Sequence, residues 1–190
     1  DELAALMKEN DATLFRKAVE IALRGRLFVE TGNASEAVRA ITSGITSLRS
    51  IGVALNEPLH LWHLALAYAD LGQLDDARRC IDEAIEKVES SKEKWSEAEV
   101  HRTAGEIALK SPADTEKAER YFERALAGAR EQQAKWWELR AAMSMARLWR
   151  DQGKWQQARE LLAPIYGWFT EGFDTLDLKE AKALLDELAT

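Results

Sequence analysis

The amino-acid sequence predicts an all-α protein, an α-solenoid of about four helix–turn–helix repeats closed by a C-terminal capping helix. Alanine and leucine are abundant, whereas the β-branched residues valine, isoleucine and threonine are sparse, and this balance favours helices over strands. The 190 residues include only 3 prolines, against an average share of about 5%. Similar residues also recur at intervals of about 40 positions, and a fixed period of this length indicates stacked structural repeats.

Four alanines mark the repeat most clearly. They are Ala37, Ala77, Ala118 and Ala158, at separations of 40, 41 and 40. A large apolar residue follows each of them by four positions, namely Ile41, Ile81, Phe122 and Leu162. An upstream position is small in every copy, namely Gly25, Ala65, Gly105 and Ala146. Small residues let two helix backbones approach, and large ones fill the groove beside them, so each copy is predicted to be a pair of packed helices.

A glycine is predicted to end the first helix in three of the four copies. These glycines are Gly32, Gly72 and Gly153, and glycine readily takes the left-handed conformation that closes a helix. The third copy has Ser111-Pro112-Ala113 in place of the glycine. Its turn is one residue longer, which explains the single separation of 41.

The repeats follow one another along the chain at residues 11–55, 56–91, 92–133 and 134–170. The first contains predicted helices at 11–30 and 34–55, with Asn33 and Glu36 as a capping box. In the second, Pro58 suits the first turn of a helix at 57–71, and a helix at 74–90 follows. The same register predicts helices at 94–110, 114–133, 135–152 and 154–170. A last helix within 175–189 has the apolar stripe that a terminal cap needs, namely Leu178, Ala181, Leu184 and Leu188.

The pattern of small residue, tyrosine, turn glycine, alanine, large apolar residue and alanine resembles the tetratricopeptide repeat (TPR). Residues 64–84 match it best, and the resemblance covers about residues 11–169. The usual TPR period is about 34 residues, so these copies are longer. The longer form is similar to the helical arrays of bacterial signalling ATPases and large transcriptional activators.

The C-terminal part resembles the end of certain bacterial multidomain proteins. The similar segments run from Arg140 to Trp149 and from Leu161 to Ala181. In that class, an adenylate or guanylate cyclase domain or a DNA-binding domain precedes a signalling ATPase module, and a TPR array ends the chain. The resemblance implies that this sequence is such an array. Because it opens at Asp1 without an initiator methionine, we expect it to be a fragment of a larger protein.

Composition narrows the classes of partner and compartment. The formal net charge is −7, which provides no general attraction for nucleic acid or anionic lipid. No apolar run reaches the roughly 18 residues that a membrane-spanning helix needs. A single cysteine, Cys80, excludes an internal disulfide, and with no recognisable signal peptide it predicts a cytoplasmic location.

No catalytic motif stands out, so we predict that the fragment is not an enzyme and needs no cofactor or metal. The sequence lacks a phosphate-binding loop, a nucleophile elbow and a zinc-binding His-Glu-x-x-His helix. The three histidines, His60, His63 and His101, are expected to be partly exposed on helix surfaces, although a metal site remains an alternative. Cys80 is expected to be packed rather than reactive.

Seven tryptophans are an unusually high number for a chain of 190 residues. Trp149 occupies the tyrosine position of the repeat and is predicted to lie in the core. Trp95 and Trp136 begin first helices and are predicted to pack between repeats, while Trp168 and Phe169 are expected to cover the end of the core. The helical position of Trp62 predicts that its side chain points toward the inner face of the superhelix.

The concave face of a solenoid is its usual binding surface. The register predicts that its binding residues are Arg26, Trp62, Leu66, Arg102, Glu106, Arg140, Met143, Arg147 and Arg150. An apolar region beside converging arginines suits an acidic or carboxylate-ended peptide, because guanidinium groups bind carboxylates bidentately. The alternative is that Arg102 pairs with Glu99 or Glu106 of its own helix.

The leading functional hypothesis is a protein-interaction and sensor module that binds a peptide or partner domain and relays a signal to an attached cyclase or ATPase. The expected partners are proteins or peptides, including upstream domains of the same chain, and neither nucleic acid nor membrane. A free-standing adaptor is one alternative. Another is a regulatory domain that binds a small molecule through Trp62.

Overall fold

A computed structural model describes the backbone of residues 2–54, 56–91, 94–110 and 114–189, with side chains from residue 12 onward. Within these residues the secondary structure is helical throughout, and it contains no strand. The helices are α1 (Glu2–Glu30), α2 (Ala34–Ser50), α3 (Glu57–Asp70), α4 (Leu74–Ser90), α5 (Glu97–Leu109), α6 (Thr115–Glu131), α7 (Lys135–Asp151), α8 (Trp155–Tyr166) and α9 (Leu176–Glu187). The prediction of an all-α repeat fold is confirmed.

The chain divides into two compact units, residues 1–93 and residues 94–190. In the first unit α1 packs on α2 and α3 packs on α4, while α3 also contacts α1 and α2. In the second unit α5 pairs with α6, α7 pairs with α8, and α9 packs on both α7 and α8. The helix pair is therefore the building block of each unit.

The four marker alanines occupy equivalent, fully buried places. Ala37, Ala77, Ala118 and Ala158 are each 0% exposed. The large apolar residues that follow them are buried as well. Gly25 shows why the upstream position is small, since a Cβ atom there would lie 2.4 Å from Cγ1 of Ile41. The small residue on one helix thus receives the large residue of its partner, as the repeat pattern predicts.

Replacing Gly105 with alanine is expected to destabilise the protein by about 1–3 kcal/mol. A Cβ atom at this position would lie 2.4 Å from Cε1 of Phe122, whose ring is fully buried. The gain in helix propensity is smaller, about 1 kcal/mol. Gly128→Ala in α6 is the matched control, because its nearest neighbour would be 3.6 Å away. Urea denaturation compares the two variants, and an equal or greater loss in the control would contradict the prediction.

A buried glutamate at the start of α3 and of α7 ties each helix to the one before it. Glu57 accepts a hydrogen bond from Nε of Arg49 at 2.6 Å, and Glu138 accepts one from Nε of Arg130 at 2.9 Å. Burial by itself would raise the pKa of Glu57, but Arg49 and Lys87 outweigh it and hold that pKa below 4.5. In both places the two partners are eight residues apart along the chain, so the same kind of ion pair links the two helices across the turn.

Several helix ends differ from the predicted ones. The second helix was expected to reach residue 55 but ends at Ser50, where Gly52 turns the chain with a φ of 71°. The helix expected at 154–170 ends at Tyr166, and that expected at 94–110 starts with a short 3-10 turn, Lys94–Ser96. Gly72 closes its helix as predicted, with a φ of 73°. Leu55, residues 92–93 and the predicted turn at residues 111–113 lie outside the described residues.

The predicted capping box at the start of α2 is wrong. Asn33 stands at the N-cap position, but its side chain makes no capping hydrogen bond. Its amide instead donates to Oγ1 of Thr31 at 3.4 Å. The side chain of Glu36 pairs with Arg39 on the outside of the same helix. The side chains of Asn33 and Glu36 therefore bond to Thr31 and Arg39 instead of capping the backbone of α2.

Candidate functional site

In the second unit, charged side chains of α5, α7 and α9 form a series of ion pairs. We call this set the ion-pair row, and it consists of Glu99, Arg102, Glu106, Arg140, Arg147, Arg150, Asp177, Glu180 and Glu187. It contains four of the arginines that the sequence predicts for binding. It also contains five carboxylates, so the row as a whole is slightly acidic.

The buried centre of the row lies on α5. Glu99 is 0% exposed and Arg102 is 8% exposed. The guanidinium of Arg102 donates from Nε to Glu99 Oε1 at 2.8 Å and from Nη2 to Glu99 Oε2 at 3.0 Å, and it also donates to Glu106. Burial would lower the pKa of Arg102, but the two carboxylates outweigh it and raise that pKa. The alternative interpretation, in which Arg102 pairs on its own helix, is the one that the structure shows.

Helix α7 links this centre to α9. Arg140 lies 2.8 Å from Glu99 on α5, and its Nε lies 3.9 Å from Asp177 on α9. Arg147 donates to Glu180 at 2.8 Å, and Arg150 donates to Glu187 at 2.9 Å. Acidic residues of α9 therefore pair closely with Arg147 and Arg150, whereas the close partner of Arg140 is Glu99 of α5.

The α7 arginines remain partly accessible despite their partners. The side chains of Arg140, Arg147 and Arg150 are 36%, 40% and 25% exposed. The Glu180 and Glu187 side chains are 44% and 48% exposed. Ion pairs between groups exposed to this degree contribute only about 0–1 kcal/mol. These pairs can therefore be exchanged for pairs with another carboxylate at little cost.

Comparison with known proteins agrees with this architecture. The model of the tetratricopeptide repeat family matches residues 57–131. The fold is that of TPR-like repeats. Two solved structures of a protein described as a kinesin light chain from Podosopora anserina, with nearly identical TPR-like repeats, are similar to this chain. One is of a single-substitution variant, with a TM-score of 0.70, 15% identity, and coverage of 90% of this chain and 84% of that chain.

The second of these structures has a TM-score of 0.69, again with 15% identity, and it covers 90% of this chain and 85% of that chain. No curated protein sequence matches this chain.

The predicted binding residues outside the row differ in their exposure. Met143 was expected on the open face of the TPR-like array but is only 3% exposed, because it joins the hydrophobic core of the second unit. In the first unit Arg26 pairs with Glu30 at 3.1 Å on the surface of α1. Trp62 lies against His63, with ring centroids 4.4 Å apart, and Leu66 is half-buried.

The expectation that the histidines are partly exposed is wrong. His60, His63 and His101 are 7%, 6% and 0% exposed, because the first helix of a TPR-like pair is packed on several sides. In His63, Nδ1 lies 2.7 Å from the carbonyl oxygen of Leu59. The pKa of His63 is lowered to about 4. Burial is the main cause and the charges of Arg26 and His60 add to it, while the hydrogen bond to Leu59 acts in the opposite direction. Burial also lowers the pKa of His60.

Metal ligands and membrane-spanning helices can be assessed only in the part of the chain that the structure describes. There, no three histidine, cysteine or acidic side chains come together as metal ligands. In the same residues, no helix has the length and apolarity needed to cross a bilayer. Cys80 is buried, as predicted, and burial raises the pKa of its thiol to about 11, so the thiolate is scarce at neutral pH.

The tryptophans match their predicted places only in part. Trp95 and Trp136, expected to pack between repeats, are each 42% exposed, although the Trp95 ring lies 6.2 Å from the ring of Trp137 in the next repeat. Phe169 is buried as expected, but its neighbour Trp168 is 57% exposed. Trp149 is half-buried against the core, and its Nε1 donates to Glu119 at 2.6 Å. The number of tryptophans signalled an unusual surface, but helical periodicity did not reveal which indoles face outward.

Proposed function

We propose that the chain is a non-catalytic protein-interaction module that binds a partner polypeptide on the ion-pair row. The observation that carries the proposal is the set of partly exposed arginines on α7, of which Arg147 and Arg150 pair with exposed carboxylates in the part of the chain that the structure describes. TPR-like repeats present such faces on rigid helices, which limits the conformational entropy lost when a peptide binds.

An acidic segment is the best-matched ligand for these arginines. Glu180 and Glu187 already occupy Arg147 and Arg150 within the chain, which supports a preference for carboxylates. A partner carboxylate would replace one of them and could bind the guanidinium bidentately. Arg102 takes no direct part, because its donors are already satisfied by Glu99 and Glu106.

In the first unit, Trp62 and Leu66 provide half-buried apolar surface on α3, and they are proposed as peptide contacts there. Their contribution is to be tested separately from that of the α7 arginines, with Trp62→Ala and Leu66→Ala variants.

We further infer that the module relays binding to attached catalytic or regulatory domains, such as a nucleotide cyclase or an ATPase. The support is the resemblance of residues 140–149 and 161–181 to the C-terminal ends of such multidomain proteins. A reading frame that encodes neither domain beside this segment would count against the relay and favour a free-standing adaptor.

The test measures fluorescence anisotropy of labelled acidic peptides with free C-terminal carboxylates, mixed with the full chain. The double variant Arg147→Gln and Arg150→Gln is expected to bind at least about tenfold more weakly than the wild type. These glutamines preserve polarity and avoid repulsion from Glu180 and Glu187. Arg120→Gln with Arg159→Gln removes the same charge from α6 and α8 and is the control.

The proposal fails if the α7 variant binds the acidic peptides as tightly as the wild type while keeping its far-UV circular dichroism. It also fails if the control pair weakens binding to the same extent, because the effect would then reflect overall charge rather than the ion-pair row. The double replacement Arg147→Glu with Arg150→Glu should abolish binding altogether, and its helicity is to be measured alongside.

A further inference from the structure

A second surface of the second unit is built from exposed aromatic rings. Trp136 is the second residue of α7, and Trp168 and Phe169 follow the end of α8. The ring centroids of Trp136 and Phe169 are 4.8 Å apart, and those of Trp168 and Phe169 are 5.2 Å apart in an edge-on arrangement. Phe169 is buried, so it anchors two outward-facing indoles.

Two open clefts flank this group of rings and share both indoles. The first has a volume of about 680 Å³ and is lined by Gln133, Ala134, Lys135, Trp136, Trp137 and Trp168. The second has a volume of about 810 Å³ and is lined by Trp136, Trp168, Phe169, Thr170, Glu171 and Gly172. We call the second one the aromatic cleft. Contiguous exposed apolar surface marks interaction sites, and tryptophan is enriched among the residues that contribute most to binding.

The electrostatics of the aromatic cleft favour a cation. The face of an indole ring carries partial negative charge and attracts ammonium and guanidinium groups. Lys135 shows this attraction within the chain, since its Nζ lies 5.7 Å from the centroid of the Trp168 ring. Glu171 adds a carboxylate to the lining of the cleft, and the whole chain carries a formal charge of −7.

We propose that the aromatic cleft binds a lysine or arginine side chain from a basic segment of a partner protein. Trp136 and Trp168 would hold the aliphatic part and the charged group between their rings, and Glu171 would pair with the cation. The ammonium group of Lys135 is paired with Glu138 at 2.7 Å, which offsets its positive charge beside the cleft. The charge complementarity selects a basic segment over an apolar or acidic one.

This site goes beyond the ion-pair row and can be tested independently of it. Trp136 and Arg147 belong to the same helix but are 11 residues apart, which is about 16 Å along the helix axis. The two surfaces also call for opposite charges on the ligand. Variants at one surface are therefore expected to leave the other unchanged.

The experiment uses a fluorescently labelled, alanine-based peptide with spaced lysines and arginines, titrated against the full chain. Its controls are the same peptide with norleucine at the basic positions and the same peptide with glutamate there. We expect the basic peptide to bind and Trp168→Ala to weaken it by about tenfold. Glu171→Gln should weaken binding by about threefold. Trp155→Ala is the matched control, because Trp155 is 43% exposed at the start of α8.

Four outcomes would overturn the proposal. The basic peptide could fail to bind, or the norleucine peptide could bind equally well, which would show that the charge is irrelevant. Trp168→Ala could leave affinity within twofold of the wild type, or Trp155→Ala could reduce it equally. If tetramethylammonium chloride binds in the cleft but the basic peptide does not, the site takes a small quaternary ammonium and the protein partner is excluded.

The Arg147→Gln and Arg150→Gln variant separates the two proposals. Loss of acidic-peptide binding with unchanged basic-peptide binding supports both surfaces. If the Arg147→Gln and Arg150→Gln variant binds the acidic peptide unchanged, whereas Trp168→Ala loses binding of the basic peptide, the ion-pair row is ruled out as a binding surface. The aromatic cleft is then still supported.

Discussion

Replacing Glu99 with alanine is expected to lower the free energy of unfolding by about 3–5 kcal/mol. Glu99 is fully buried and is bonded to both Arg102 and Arg140. Its removal leaves the guanidinium of Arg102, itself 8% exposed, with Glu106 as its one remaining partner in the ion-pair row. An ion that is withdrawn from water and loses a counter-charge is strongly destabilising. Urea denaturation of the full chain, followed by circular dichroism, measures the loss.

Glu180→Ala is the matched control for Glu99→Ala. Glu180 also pairs with an α7 arginine, at 2.8 Å, but its side chain is 44% exposed. We therefore expect a loss of no more than about 1 kcal/mol. The double replacement Glu99→Leu with Arg102→Met removes both charges and should be far less destabilising than Glu99→Ala alone. Equal losses in Glu99→Ala and Glu180→Ala would show that burial does not govern the strength of these pairs.

Lowering the pH from about 7 to about 4 is expected to remove about 3 kcal/mol of stability through His63. The pKa of His63 is about 4 in the folded chain, against an ordinary value of 6.5. Between these two values the unfolded chain binds more protons, so its stability relative to the folded chain rises as the pH falls. His60 acts in the same direction, because burial lowers its pKa too.

The variant His63→Gln tests the contribution of this one side chain. It is expected to be less stable than the wild type at pH 7, but to lose less stability on acidification to about pH 4.5. Glu57 does not obscure this interval, because its pKa lies below 4.5 and its stabilisation is lost as the pH falls through that lower value. An unchanged slope of unfolding free energy against pH in His63→Gln would assign the acid sensitivity to other groups.

The repeat pattern predicted the helix pairs well because it reports a local steric requirement. Ala77 must be small wherever two helix backbones touch, and Ile81 must fill the groove one turn later. Both are buried as the pattern requires. The ends of the helices were predicted less well, since α2 ends at Ser50 rather than at residue 55. Helical periodicity persists through such turns without specifying where the backbone leaves the helix.

The burial of the histidines shows a second limit of periodicity. His60 and His63 look like surface residues when α3 is considered alone, because they flank an apolar stripe. In the first unit, however, α3 contacts α1, α2 and α4, so nearly its whole circumference is covered. The number of helices packed around a given helix depends on how the repeats assemble, so it cannot be predicted from the residue pattern of one repeat.

The amino-acid sequence was enough to predict the helical class, the period of about 40 residues, the small and large positions of each helix pair and the C-terminal capping helix. It also predicted Arg102, Arg140, Arg147 and Arg150 as binding residues, and each of them forms an ion pair within the second unit. Their role in binding stays a prediction. The pairing of Arg102 with Glu99 and Glu106 was one of the two predicted alternatives, whereas the α9 partners of Arg147 and Arg150 and the exposed Trp136 and Trp168 beside Glu171 were visible only in the folded unit. The physical reason is that spacing along a chain specifies which residues share a face of one helix. Contacts between residues 33 to 38 positions apart depend instead on how each helix is rotated against its neighbours, and packing of the whole unit sets that rotation.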